Sequence, residues 1–174
     1  WQIPDFLDKF EYKEMIGNPK TPGDAMFNSE YSTLVKVFSF VLKGSISDVK
    51  NNVNTLLKVE NPNEILKQTT ARGKFLWKQY EAVNKEYESL AKKARKAEAE
   101  GNLLLFIYPN GKTSFTGMIS NELMYKNPDK IVIVAREKED MMVLSLRSID
   151  LKVLPALQKA LKEVRGYGGG HLHA

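Results

Sequence analysis

Ile131-Val132-Ile133-Val134-Ala135 is an apolar run of strand length, Glu137-Lys138-Glu139-Asp140 is a charged turn, and Met141 to Arg147 is a second run of strand length. A strand, an exposed turn and a strand therefore occupy the middle of the C-terminal half. Working outward, Leu103 to Tyr108 is a further continuous apolar run, and Pro109-Asn110-Gly111-Lys112 follows it with Asn-Gly at its centre. Asn-Gly is a hairpin-turn signal, so Thr113 to Thr116 is expected to return as the partner strand. Met118 to Tyr125 reads as a short helix stopped by Asn127-Pro128. Leu151 to Val164 reads as an amphipathic helix with Leu154, Leu157, Ala160 and Leu161 facing inwards. The order is β-β-α-β-β-α followed by a glycine loop, which predicts a small mixed domain around a sheet of about four to five strands.

Upstream, the grammar is helical. Ala71 to Glu100 reads as one long helix, with Phe75, Leu76, Tyr80, Val83, Tyr87, Leu90 and Ala94 at helical spacing and Gly101-Asn102 to end it. Its second half is nearly free of large apolar residues, the pattern of a connector between two lobes. A helix with Ser29 as cap runs to Gly44, and its apolar positions go most of the way round, so burial is expected on nearly every side. A second, capped by Ser45 or Ser47, has Val49, Val53, Leu56 and Leu57 as its inner stripe, and Glu64 to Gln68 makes a short third. Residues 1–28 are punctuated by proline and glycine, with apolar clusters at Phe6, Leu7 and Phe10 and a loop by composition from Gly17 to Asp24. The fold class is α+β. The expected division is a helical segment over 1–70, a connector helix over 71–100 and a sheet domain over 101–174, with the boundary near Gly101.

Composition bounds the chemistry. The 174 residues are 43% hydrophobic and 27% charged, with no cysteine and two histidines, His171 and His173. Disulfides, thiolate nucleophiles and cysteine-bound zinc are excluded, and a histidine-built metal site elsewhere in the chain is impossible. No apolar run approaches the roughly 20 residues that span a bilayer, and no basic, apolar leader is visible. The expectation is a cytoplasmic protein, read as a piece of a longer chain. The net charge of +5 leans towards anionic partners.

Two features carry chemistry. Gly168-Gly169-Gly170-His171 follows an amphipathic helix and leads directly into a histidine. Three glycines can be a slack tail. Without side chains, however, their N–H groups can also approach an anion closely, and a histidine beside them can donate to a phosphate oxygen or take a proton as charge appears. The second feature is Ser145-Leu146-Arg147-Ser148. Strand alternation puts Ser145 and Arg147 on one face, where a hydroxyl and a guanidinium suit a phosphate. A plain solvated arginine on an edge strand is the competing reading.

Together, in this order and separation, these pieces resemble the DHH-associated domain, the small C-terminal domain of the DHH phosphoesterase superfamily. The matching stretch is about residues 103–174: the strand Ile131–Ala135, Ser145-Leu146-Arg147-Ser148, the amphipathic helix and Gly168-Gly169-Gly170-His171. In the family the last motif continues to a further glycine, and this sequence stops at Ala174. The long helix is similar to the connector of RecJ-like single-strand exonucleases. The resemblance implies a Mn2+- or Mg2+-dependent phosphodiesterase or exonuclease of DNA-repair type. Its substrates would be single-stranded DNA or RNA, or short nucleotides, with replication or repair proteins as further partners and no membrane. The metals would lie outside this chain, which has no Asp-His-His triplet, and none would be bound by it. Ser145, Arg147, Gly168, Gly169, Gly170 and His171 would bind substrate, with His171 also catalytic. The alternative is a non-catalytic, nucleic-acid- or replication-protein-binding fragment of a degenerate DHH-type protein.

Overall fold

The structure, a computed structural model, describes residues 15–172. The clusters at Phe6, Leu7 and Phe10, and His173, lie outside the described residues. The protein is α+β, with helices first and a four-stranded mixed sheet after them. It divides into two compact units between Tyr87 and Glu88.

The first unit is helical. Helix α1 spans Pro22–Phe27 and so begins within the Gly17–Asp24 stretch expected to be loop, because Thr21 and Asp24 form a reciprocal capping box around Pro22. Helix α2, Glu30–Val41, starts where Ser29 Oγ accepts from Ser32 N. Leu34, Val37, Phe40 and Val41 are buried, but Val35, Phe38 and Leu42 face solvent, so burial covers one side and not the whole circumference. Helix α3, Ile46–Leu56, is capped by Ser45. Its expected inner stripe is only half-buried at Val49, Val53 and Leu56, and Leu57 is exposed. The buried residue is Asn52, whose Nδ2 donates to the Val41 carbonyl at 2.7 Å and so satisfies the end of α2.

Helix α4 is Asn63–Leu66, ending short of Gln68, which turns out of helical conformation with φ 52. The long helix α5, Ala71–Ala94, contributes Leu76, Tyr80 and Tyr87 to the core of the first unit. Phe40 lies 5.9 Å from Tyr80 and 5.4 Å from Tyr87 between ring centroids. Residue 73 must be glycine, since a Cβ there would overlap the Glu64 carbonyl.

The second unit begins inside α5, where Ala91 and Ala94 are buried although no large apolar residue marks them. The helix stops at Ala94 rather than Glu100, because Ala99–Glu100 is taken into the sheet as strand β1. Gly101, with φ 57, turns the chain so that β1 pairs antiparallel with β2, Leu103–Tyr108. The expected hairpin at Asn110-Gly111 does not form. Instead β2 pairs in parallel with β3, Ile131–Lys138, and helix α6, Thr116–Lys126, fills the crossover. Phe115, buried at the start of α6, lies in the segment expected to be a return strand. Strand β4, Met141–Arg147, pairs antiparallel with β3 around Glu139, which takes φ 54 in the tight turn. The sheet order is β1-β2-β3-β4.

Helix α6 covers one sheet face. The helix packs against β3 and β4; on that face of the sheet Leu104, Tyr108, Val132 and Val134 are buried, as are Ile119 and Leu123 of the helix. Helix α7, Val153–Ala160, is shorter than the expected Leu151–Val164. Leu154, Leu157 and Leu161 are half-buried and Ala160 is exposed. Among the described residues, no helix is long and apolar enough to cross a membrane.

Candidate phosphate-binding site

Ser145 lies opposite Val134 and Arg147 opposite Val132, so both side chains stand on the face that α6 covers, and Leu146, opposite Ile133, stands on the other. Ser145 Oγ is 3.0 Å from Ser120 Oγ on α6. Ser120 gives its own proton to the Gly117 carbonyl at 3.0 Å, so Ser145 is the donor between the two hydroxyls. Its proton thus ties sheet to helix, and only its lone pairs remain for anything else. Ser120 is fully buried and was not singled out by the sequence reading, since its partner comes from 25 residues away.

Arg147 differs. It is half-buried at the end of β4, and its Nε is enclosed without a hydrogen-bond partner among the described residues. A buried guanidinium N–H left unmatched is unusual. Arg136 shares this property and this sheet face, opposite Val143 and next to Tyr108. The sequence carried a signal for it, as Arg136 is in phase with the buried Val132 and Val134. The two arginines stand four strand positions apart, about 13 Å.

The glycine segment is not slack. The Leu172 carbonyl accepts from Val153 N at 2.9 Å and from Leu154 N at 3.3 Å. Lys152, at the cap position of α7, offers no side-chain bond, so the returning tail satisfies the helix start in its place. A Cβ at Gly168 would sit 3.6 Å from Leu157 Cδ2 and 3.7 Å from Leu161 Cδ1, which places this part of the loop along the apolar side of α7. Gly169 has nothing within 4 Å of that position, and His171 and Tyr167 are exposed. Five residues separate Arg147 from Val153, so the strand end and the helix start that the tail caps are joined by a short connection. Ser148 helps to set that connection, since its buried Oγ accepts from Leu151 N at 3.1 Å.

The implied Mn2+ or Mg2+ has no fitting donor set here. Among the described residues, no three histidine or carboxylate side chains gather where they could hold an ion. The residues present offer hydrogen-bond donors and positive charge, the chemistry of holding an anion. No family model matches this chain, and no curated protein matches it.

Proposed function

We propose that the second unit grips the phosphate backbone of single-stranded nucleic acid or of short nucleotides, as the substrate-binding portion of a DHH-type phosphodiesterase or exonuclease. The observation that carries this reading is the fold-back of the glycine loop. Leu172 is bonded to the first N–H groups of α7, so the glycine loop returns to the start of the helix that follows β4. The Nε of Arg147 at the end of β4 has no partner among the described residues, and both observations support the reading. In this reading Arg147 makes charge-assisted bonds to phosphate oxygens, the side-chain-free Gly169 lets backbone N–H groups come close, and His171 donates to an oxygen of the same group. Tyr167, which is exposed, would stack on a base. Metal-dependent hydrolysis would draw its ligands from outside this chain, and the work would take place in the cytoplasm.

The test is titration of a fluorescently labelled single-stranded oligonucleotide with this chain, followed by anisotropy at rising salt, alongside incubation in Mn2+. Salt-sensitive binding without cleavage is expected. Failure to bind at low salt, or binding that Arg147→Ala and His171→Ala both leave unchanged, overturns the reading.

A further inference from the structure

Among the described residues, strand β4 is the outer strand of its sheet, and no strand pairs with the N–H and C=O groups of its far edge. Stable monomers guard such edges with lysine, proline, a bulge or a covering segment. Met141-Met142-Val143-Leu144-Ser145-Leu146-Arg147 has no proline, glycine, lysine or acid, and its seven residues pair with β3 without a break in register. Met141 to Leu144 remain between 40% (Val143) and 58% (Met141) exposed. On the sheet face away from α6, Met142 and Leu144 are joined by exposed Leu105 and Ile107. A long, apolar, unguarded edge is a template for strand addition.

The charge pattern selects the added strand. β4 is preceded by Glu139-Asp140 and ends in Arg147, acidic at its start and basic at its end. An antiparallel second copy sets each acidic start beside the other's arginine, whereas a parallel copy sets like charge against like. Centring the pair on Leu144 uses the whole strand. Met141 then faces Arg147 of the copy, Met142 faces Leu146, Val143 faces Ser145 and Leu144 faces itself. A two-fold axis through that point keeps the same face outward in both sheets, so the apolar stripes of Met142, Leu144 and Leu146 fuse, and the contact closes on itself without propagating.

We propose that β4 is a homodimerisation edge, with a second copy of this chain adding antiparallel about Leu144 to make one continuous sheet from the two four-stranded ones. This proposal stands independently of what the glycine loop binds.

Because the chain has no cysteine, a single introduced one reports alone. Facing Cα atoms in an antiparallel pair lie about 4.5–5.5 Å apart, inside the disulfide range. Sedimentation of the full chain at tens of micromolar is expected to give the dimer mass. Under mild oxidation, Leu144→Cys is expected to become a covalent dimer in most molecules. Leu105→Cys, on the same face but two strands inwards, is expected to stay largely uncrosslinked. Leu144→Lys is expected to weaken the dimer at least tenfold with an unchanged far-ultraviolet spectrum. Should that variant lose its fold, the two cysteine variants decide the question. A monomer at these concentrations, a dimer untouched by Leu144→Lys in a folded variant, or equal crosslinking at positions 105 and 144 overturns the proposal.

Discussion

Arg95 forks onto Glu122, its Nε donating to Oε1 at 2.7 Å and its Nη2 to Oε2 at 3.2 Å. Glu122 is buried in α6, and Arg95 follows directly on the last residue of α5, so this pair ties the end of the long helix to the layer above the sheet. Lys126 adds a third bond to Glu122 at 2.7 Å, and Glu88 holds the outer side of the guanidinium at 3.1 Å. The Glu122 carboxylate lifts the arginine further above its already high pKa by accepting these bonds, against the effect of burial.

Removing the arginine should be costly. Breaking a buried ion pair from one side costs roughly 3–5 kcal/mol, and the remaining Lys126 bond offsets part of it, so Arg95→Ala is expected to lose about 2–3 kcal/mol. Arg95→Lys should recover only a fraction, since an ammonium cannot make the fork. Urea unfolding midpoints of the three proteins measure this, and a lysine variant as stable as the parent would show that geometry is unimportant.

Acid should act on the first unit through Glu64. Its carboxylate accepts from Arg72, from the backbone N–H groups of Glu60 and Asn61 and from Thr70. Arg72 first, then these other donors, hold its pKa down to about 2 from 4.5. The group is therefore easier to ionise folded than unfolded. Its stabilising contribution is complete above pH 4.5 and is lost as pH falls towards 2. Glu64→Gln should lower stability at neutral pH and flatten its decline across that window. Unfolding midpoints taken from pH 5 downwards provide the check, and parallel curves for the two proteins would refute the assignment.

Gly73→Ala tests the close approach of α4 and α5. The added methyl would overlap the Glu64 carbonyl, a backbone group that cannot step aside without moving the carboxylate cluster. A loss of about 3 kcal/mol is expected, at the upper end of ordinary overpacking costs. Alanine at Gly117, where nothing lies within 4 Å, should be tolerated, and thermal melts of the pair measure the contrast.

In the proposed phosphate site, the two polar residues should separate by size of effect. Arg147→Ala removes a charge-assisted bond worth roughly 1.5–3 kcal/mol, which is about ten- to a hundredfold in oligonucleotide affinity, and it should reduce the salt slope by about one. His171→Ala removes one hydrogen-bond donor, so a smaller loss, nearer about fivefold, is expected. Anisotropy titrations at two salt concentrations distinguish these outcomes, and identical slopes for parent and Arg147→Ala would remove arginine from the site.

Much of the architecture was legible from local chemistry. Ser29 and Ser45 announce their helices because a side-chain oxygen is needed where the first N–H groups are orphaned. Leu103–Tyr108 and Ile131–Ala135 follow from apolar runs, and Met141–Arg147 from its largely apolar pattern. Strand β3, however, runs on through Arg136, Glu137 and Lys138, the last two expected in the turn, because they pair with Val143, Met142 and Met141. What stayed hidden depends on partners remote in sequence. Asn110-Gly111 is a hairpin signal that lost to parallel pairing of Leu103–Tyr108 with Ile131–Arg136. Ala99–Glu100 has no strand character of its own and is drawn in by Leu103 and Leu104 across Gly101. At the candidate site, alternation alone put Ser145 and Arg147 on one face. The Ser120 bond and the capping of α7 by Leu172 could not be read, because nothing in either segment names its partner.

The parallel pairing of β2 with β3 also sets an order of assembly. Lys138 meets Met141 three positions on, so the β3–β4 hairpin can close in about 1–10 µs once both strands exist. Leu103 waits for Ile131, 28 positions later, and must first have the crossover helix in place to offset loop-closure entropy. On a ribosome adding about 5–20 residues per second, the leucine-rich β2 leaves with only two residues of β1 for company and stays otherwise unmatched for about 1.5–6 s. That interval is when the nascent chain is most open to chaperones and to misassociation with its neighbours on the same message.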